Sequence, residues 1–220
     1  MVASDAESAA LSVAERLAMQ ARAGGSIVLT GGSTPRRAYE LAATVEPDWS
    51  RVDLWWGDER CVPPDDERSN YRMAKEALLD RLGSQPAVHR MRGELGREAG
   101  AQEYERELTG TGAFDLVLLG LGPDGHIASL FPNFPTLDVV DRDSVGSEAG
   151  HEPFVDRITL TLPRLCETRE LLFLVTGADK ADAVARALTG EPSRETPGSL
   201  ARAATGPTRA VLDRAAAAKL

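Results

Sequence analysis

The sequence predicts an α/β fold in which helices cover both faces of a mostly parallel sheet. Short apolar segments at 26–30, 114–119 and 171–176 alternate with segments whose apolar residues recur at helical spacing. Neighbouring parallel strands need a crossover connection, which is usually a helix, so this alternation favours a parallel sheet. A length of 220 residues without repeats or linkers predicts a single domain over residues 1–220.

The N-terminal third begins with a predicted helix. Ser4-x-x-Glu7 is a capping-box pattern, and the apolar residues after it fall on one helical face up to a glycine pair. Residues 26–30 then form a short predicted strand. A second helix is predicted after it, with Thr34 as N-cap and Pro35 as its first helical residue.

The rest of the chain continues the alternation. The predicted strands are 52–56, 88–91, 114–119, 155–162 and 171–176, and the predicted helices are 69–82, 97–108 and 179–188. Residues 57–66, 132–150 and 191–198 are predicted loops, and the last segment is expected to add a short strand and a helix.

Composition excludes several classes of function. The net charge of −9 argues against nucleic acid as a partner, because phosphate backbones select basic surfaces. Cys61 and Cys166 form neither a disulfide framework nor zinc-site spacing, which is typical of thiols in a reducing cytoplasm. The acidic N-terminus is unlike a signal peptide and no run of 18 apolar residues occurs, so no membrane association is expected.

The most informative segment is Gly120-Leu121-Gly122-Pro123-Asp124-Gly125-His126. It follows the most apolar predicted strand, and ligands of open α/β sheets bind beyond the carboxyl ends of strands. It also matches the dinucleotide pattern G-x-G-x-x-G, but Pro132 and Pro135 interrupt the helix which that site requires. A lone histidine is usually a capping or core residue; the adjacent Asp124 and the strand-end position favour a functional His126.

Two other strand ends carry polar motifs. Gly31-Gly32-Ser33-Thr34-Pro35 offers amides and hydroxyls that suit a phosphate, although an ordinary tight turn would have the same pattern. Gly57-Asp58-Glu59-Arg60 is either a solvated charge cluster or part of a site in which Arg60 holds an anion. Arg157 and Lys180 taken alone are typical of surface charges, and His89 and His151 are expected to be surface residues.

Taken together, these segments resemble the 6-phosphogluconolactonase family. The resemblance rests on residues 29–35, on Trp56-Gly57-Asp58-Glu59-Arg60-Cys61-Val62-Pro63 and on 69–71. It continues in Gly120 to Pro132, in Arg157-Ile158-Thr159-Leu160-Thr161 and in 175–180. The segments occur in the family's order and span the chain from about Ile27 to its C-terminus.

The resemblance implies a three-layer α/β/α sandwich like the glucosamine-6-phosphate deaminase fold. It also implies hydrolysis of 6-phospho-D-glucono-1,5-lactone in the oxidative pentose phosphate pathway. Gly32, Ser33 and Thr34 would cradle the phosphate, with Arg157 and Lys180 as cationic partners and Asp58 at the same substrate site. No cofactor or metal is expected, and the chain is expected to be a cytoplasmic monomer or weak homodimer.

For the reaction itself, neutral His126 is expected to take a proton from the attacking water. Asp124 either orients the imidazole or caps the turn. Arg60 or backbone amides after His126 would stabilise the oxyanion.

Two alternatives remain at this point. Related deaminases carry a glutamate where this chain has Phe131, which makes a sugar-phosphate isomerase or deaminase less favoured than a lactonase. A non-catalytic sugar-phosphate sensor would need a DNA-binding module, and the 25 or so residues before the first strand are too few for one.

Overall fold

The computed structural model describes residues 1–220, which form ten strands and six α-helices. The strands are β1 (Val2–Ala3), β2 (Gly25–Leu29), β3 (Val52–Trp56), β4 (Asp58–Arg60), β5 (Ala87–His89), β6 (Leu116–Leu119), β7 (Ser144–Ser147), β8 (Arg157–Leu160), β9 (Leu171–Val175) and β10 (Thr208–Asp213). The helices are α1 (Ala6–Ala23), α2 (Ser33–Val45), α3 (Asn70–Ala77), α4 (Arg97–Leu108), α5 (Leu162–Cys166) and α6 (Ala181–Leu188).

Seven strands form the central sheet in the order β1-β10-β9-β6-β2-β3-β5, and every neighbouring pair is parallel. All residues of β6 and β9 are buried, as expected for strands covered on both faces. Helix α1 packs against α2 and against β10 and β9 of the sheet. The architecture is the three-layer α/β/α sandwich that the family resemblance implies.

The strand order places one crevice at the carboxyl ends of β2 and β6. From β2 the chain proceeds outward through β3 and β5, and it then returns to β6 on the other side of β2 before reaching β9 and β10. Such a reversal separates the loops that follow the two central strands and leaves room for a ligand between them.

A second sheet, which the sequence does not predict, joins three short antiparallel strands in the order β4-β8-β7. Strand β4 lies in the predicted loop 57–66, and β7 lies in the predicted loop 132–150. Both loop predictions are wrong at these positions. Each strand is too short to show a periodic pattern, and each is held by pairing with β8, which is distant in sequence from β4 and follows β7 across residues 148–156.

Two predicted helix caps are also wrong. Asp5, rather than Ser4, is the N-cap of α1, and its carboxylate accepts a hydrogen bond from the amide of Ser8 at 2.8 Å. Helix α2 begins at Ser33 with Gly32 as N-cap, so Thr34 already lies inside its first turn.

Other element boundaries move by a few residues. The helix predicted over 69–82 is α3 followed by a short 3₁₀ turn, and Ser69 caps it. The predicted C-terminal strand is β10, but the helix expected after it does not form, and residues 214–219 are turns. None of the helices combines the length and the apolar character needed to cross a membrane.

Candidate functional site

A cavity of about 320 Å³ opens at the carboxyl ends of the central strands. Loops after β2, β6 and β9 and the start of β4 contribute to its wall, as the strand order requires. Eight of the nine predicted site residues line the cavity, namely Gly32, Ser33, Thr34, Asp58, Arg60, His126, Arg157 and Lys180. The ninth, Asp124, does not line the cavity and contacts the ring of His126 instead.

His126 and Asp124 form a hydrogen-bonded pair. Nδ1 of His126 lies 2.6 Å from Oδ1 of Asp124, and the same oxygen accepts the backbone amide of His126 at 3.1 Å. With Nδ1 donating to a carboxylate, the neutral imidazole carries its proton there, and Nε2 has no partner within the protein. Burial raises the pKa of Asp124, but the hydrogen bond and charge interaction with His126 outweigh it and lower that pKa to about 2.

Gly122 allows this pair to form. A Cβ atom at position 122 would lie 2.1 Å from Nδ1 of His126 and 2.6 Å from Oδ1 of Asp124. The amide of Gly122 also donates to the carbonyl of His126 at 2.9 Å, which closes the turn. The glycine is therefore required by the close approach of the imidazole to the backbone.

The start of α2 supplies free backbone donors to the cavity wall. Its N-terminus has no side-chain cap and no acidic residue in the first turn, so the positive end of the helix faces the cavity without compensation. The hydroxyl of Thr34 lies 2.8 Å from that of Thr176, which joins this helix end to the loop after β9. Lys180 follows in the same loop, with Asp179 at 3.6 Å as its ionic neighbour.

Asp58 is buried in the cavity wall and already has two protein donors. Its Oδ2 accepts the hydroxyl of Ser129 at 2.7 Å, and its Oδ1 accepts the side-chain amide of Asn70 at 3.2 Å. Ser129 stands three residues after His126, so this carboxylate ties β4 to the loop that carries the histidine.

The neighbouring acid, Glu59, has a structural position. Its carboxylate accepts the amides of Arg60, Asn70 and Tyr71 and the hydroxyl of Ser69, all within 3.0 Å. Burial raises the pKa of Glu59, and these hydrogen bonds oppose that rise. Glu59 therefore fixes the start of α3 rather than facing a ligand.

The guanidinium group of Arg60 has N–H donors without an acceptor in the protein. Nη1 donates to the carbonyl of Arg68 at 2.6 Å, while Nε is buried without a partner. Nε is closed off from the cavity, whereas Nη2 has no acceptor in the protein and remains available to an anion in the cavity.

Arg157 lines the cavity, but most of its guanidinium is already engaged. Nε donates to the carbonyl of Val155, and Nη2 donates to the carbonyls of His151 and Pro153, at 2.9 to 3.0 Å. The residue is only 3% exposed, and burial lowers its pKa. Nη1 alone has no protein partner.

Sequence reasoning missed several cavity residues. His151 is exposed, as expected, but it also lines the cavity, with its ring centroid 5.7 Å from that of His126. Asn70, Thr176 and Glu152 also line it. The family-like segments 69–71 and 175–180 contain the first two, whereas no local pattern marks residues 151 and 152.

His89 is not a free surface residue either. It stacks on Trp55 with ring centroids 3.9 Å apart, and its two ring nitrogens contact Asp53 and Glu107. No group of three or more His, Cys, Asp or Glu side chains in the structure has the arrangement of a metal site.

Comparisons with known proteins agree with the sequence resemblance. A family described as glucosamine-6-phosphate isomerases/6-phosphogluconolactonase matches residues 2–210. The chain is 44% identical over 220 residues to the 6-phosphogluconolactonase of Mycobacterium leprae, across 92% of this chain and 88% of that protein.

Solved structures show the same fold. The 6-phosphogluconolactonase from Trypanosoma cruzi superposes with a TM-score of 0.90 at 26% identity, across 100% of this chain and 96% of the other. A monomeric glucosamine-6-phosphate deaminase superposes with a TM-score of 0.89 at 20% identity, across 100% and 99% of the two chains. At that identity the second similarity establishes only the fold.

Proposed function

Because this chain belongs to the glucosamine-6-phosphate isomerase/6-phosphogluconolactonase family, we propose that it hydrolyses 6-phospho-D-glucono-1,5-lactone to 6-phospho-D-gluconate. This reaction is the second step of the oxidative pentose phosphate pathway. The observation that carries the proposal is the His126–Asp124 pair. Nε2 of His126 is free, and the ring lines a cavity whose wall also contains cationic side chains and backbone amides.

His126 acts as the general base. Its Nδ1 proton is held by Asp124, so Nε2 is left as the acceptor for a proton from water. As that water attacks the lactone carbonyl, the imidazole becomes charged, and the Asp124 carboxylate stabilises the charged form. A positioned base of this kind contributes roughly 10²–10⁴-fold to the rate.

The carbonyl oxygen becomes negative in the tetrahedral intermediate. Nη2 of Arg60, which has no acceptor within the protein, is one donor for it. The backbone amides of Ile127 and Ala128 are two further candidates, since neither donates to a backbone or side-chain acceptor in the protein. Ala128 lines the cavity and has a φ of 47°, an uncommon conformation for alanine that turns the chain directly after His126.

The second half of the reaction breaks the ester bond. The C1–O5 bond cleaves as the charged His126 returns its proton to the ring oxygen, and a hydroxyl group forms at C5 of the product. Water supplies the remaining oxygen of the carboxyl group. The atoms and electrons balance with water as the only co-substrate.

The phosphate binds at the start of α2. Amides of Gly32, Ser33 and Thr34 lie at an uncompensated helix N-terminus, and Lys180 extends from the loop joined to it through Thr176. Arg157 adds a further positive charge to the same cavity. Binding at this end orients the lactone carbonyl toward His126 and lowers the entropic cost of the attack.

The residue at position 131 argues against the deaminase alternative, because the family resemblance gives the deaminases a glutamate where this chain has Phe131. Phe131 is 2% exposed, and its ring centroid lies 5.0 Å from that of His126. We further propose that the protein acts in the cytoplasm as one domain, as a monomer or weak homodimer, without nucleic acid or membrane partners.

The deciding experiment compares two substrates on the purified protein. We expect hydrolysis of 6-phospho-D-glucono-1,5-lactone above the spontaneous rate in a fast coupled assay, and no ammonia release from glucosamine 6-phosphate. Lactone loss at the spontaneous rate, or ammonia release at a comparable turnover, would refute the proposal. A size-exclusion measurement on the same sample tests the oligomeric state.

A further inference from the structure

We propose that Arg157 is a positioning residue that fastens residues 148–156, here called the strap, over the His126 side of the cavity. The strap connects β7 to β8 and carries His151 and Glu152 into the cavity wall. This inference rests on the proposed function, since it concerns how the same site is kept ready for turnover. It also gives the Arg157 guanidinium a task other than direct binding of the phosphate.

The hydrogen bonds of Arg157 point to the strap. One guanidinium donates to three backbone carbonyls of the strap, those of His151, Pro153 and Val155. No carboxylate lies within salt-bridge distance of Arg157, so these carbonyls provide its principal polar contacts. The planar guanidinium of arginine holds its donors in fixed directions and can bind several carbonyl oxygens at once, whereas the compact ammonium group of lysine cannot.

Little else holds the outer part of the strap. The side chains of His151, Glu152 and Phe154 are exposed, and Phe154 is 73% accessible. Because few of these side chains bury apolar surface, hydrophobic packing contributes little to fixing residues 151–154. The carbonyl bonds to Arg157 therefore determine where this part of the strap lies.

A second contact seats the strap on the catalytic side of the cavity. Gly150 lies against the ring of Phe131 so closely that a Cβ atom there would be 2.5 Å from Cγ of Phe131. Phe131 in turn packs beside His126, with 5.0 Å between their ring centroids. Strap, phenylalanine and histidine thus form one continuous series of contacts, and a displaced strap removes the cover from the imidazole.

Two substitutions loosen the strap by different means. Arg157→Lys keeps the positive charge but cannot reach three carbonyls. Gly150→Ala keeps Arg157 intact and forces the strap away from Phe131.

Each variant has a matched control. Arg164→Lys changes a buried arginine that does not line the cavity and that donates to Thr111 and Glu167. Gly112→Ala adds a Cβ atom where nothing lies within 4 Å.

The first measurement is limited proteolysis of the substrate-free proteins with chymotrypsin, which can cleave after the exposed Phe154. Cleavage in the strap should become roughly tenfold faster in Arg157→Lys and Gly150→Ala, and it should remain at the wild-type rate in both controls. Wild-type cleavage of the strap in Arg157→Lys would overturn the proposal. If that variant does not fold, the same result for Gly150→Ala overturns it.

The second measurement is steady-state kinetics on the lactone. Loss of the cover should lower kcat roughly tenfold and change KM by less than about threefold, because the lysine retains the charge. A tenfold rise in KM with unchanged kcat would overturn the proposal and identify Arg157 as a direct phosphate ligand. Wild-type lactonase activity is measured first, so failure of the proposed function appears in the wild type, whereas failure of this inference appears only in the variants.

Discussion

Two histidines with carboxylate neighbours occupy contrasting surroundings in this molecule. His126 follows β6 and uses only Nδ1, toward Asp124, while its ring lines the cavity. His89 ends β5 and uses both nitrogens, toward Asp53 and Glu107, with its ring face covered by Trp55. A carboxylate partner is therefore common to both sites, and the free second nitrogen distinguishes the site able to move a proton.

The positions of the two rings in the sheet explain this difference. β6 is a central strand next to the reversal in strand order, and the loop after it opens into the crevice. β5 is an edge strand, and the carboxylates of Asp53 in β3 and Glu107 in α4 are close enough to occupy both nitrogens of its histidine. A ring held from two sides stabilises the edge of the sheet and has no capacity left for catalysis.

The largest expected effect comes from removing the free nitrogen. His126→Ala should lower kcat for the lactone by roughly 10²–10⁴-fold, since the general base is lost. A fast coupled assay corrected for spontaneous hydrolysis measures this, with circular dichroism to verify folding. Activity near the wild-type level would mean that another group activates water.

Asp124→Asn tests the carboxylate that binds Nδ1 of His126 and leaves Nε2 free. The amide cannot accept and stabilise charge as a carboxylate does, so kcat should fall by roughly 10–100-fold, less than for His126→Ala. Combining the two substitutions should cost no more than His126→Ala alone, because the residues act as a unit. Additive losses in the double variant would show that Asp124 acts independently of the imidazole.

Part of this site could be predicted from sequence because strand ends are visible in sequence. The apolar runs of β6 and β9 are strong signals of buried parallel strands, and the polar residues after them, His126 and Lys180, are placed by the fold at one edge. The functional roles of these residues remain predictions that the substitutions test.

The unpredicted part depends on contacts that the pattern of apolar and polar residues does not reveal. β4 and β7 exist because both pair with β8, and His151 reaches the cavity because its carbonyl is held by Arg157. Likewise, His89 has no sequence neighbour that reveals Asp53 and Glu107. Local periodicity carries no information about such contacts.

Lys180→Ala examines the far end of the cavity. Loss of one phosphate-binding cation should raise KM roughly tenfold with little change in kcat, because the interaction is the same in the ground and transition states. The matched control is Lys75→Ala, which removes an exposed lysine of α3 that pairs with Asp80. A loss confined to kcat in Lys180→Ala would place the ammonium at the reacting carbonyl.

The Asp124–His126 pair should also be visible in acid stability. The pKa of Asp124 is lowered to about 2 from its ordinary value of 3.8, so its stabilising contribution is complete above 3.8 and is lost as the pH falls through about 2. Asp124→Asn should therefore make unfolding less dependent on pH between about 4 and 2. Urea titrations across this range measure it, and an unchanged slope would show that the pairing does not persist in solution.

The smallest effect on catalysis is expected at the second histidine. His89→Ala removes two carboxylate contacts and the stack on Trp55, so the free energy of unfolding should fall by about 1–2 kcal/mol. Both kcat and KM should stay within about twofold of the wild type, because the ring has no free nitrogen and lies outside the substrate cavity. Thermal denaturation and the lactone assay on the same sample separate the two quantities. A large loss of kcat with unchanged stability would contradict this expectation. Hydrogen bonds to both ring nitrogens would then not distinguish a structural histidine from the general base proposed at His126.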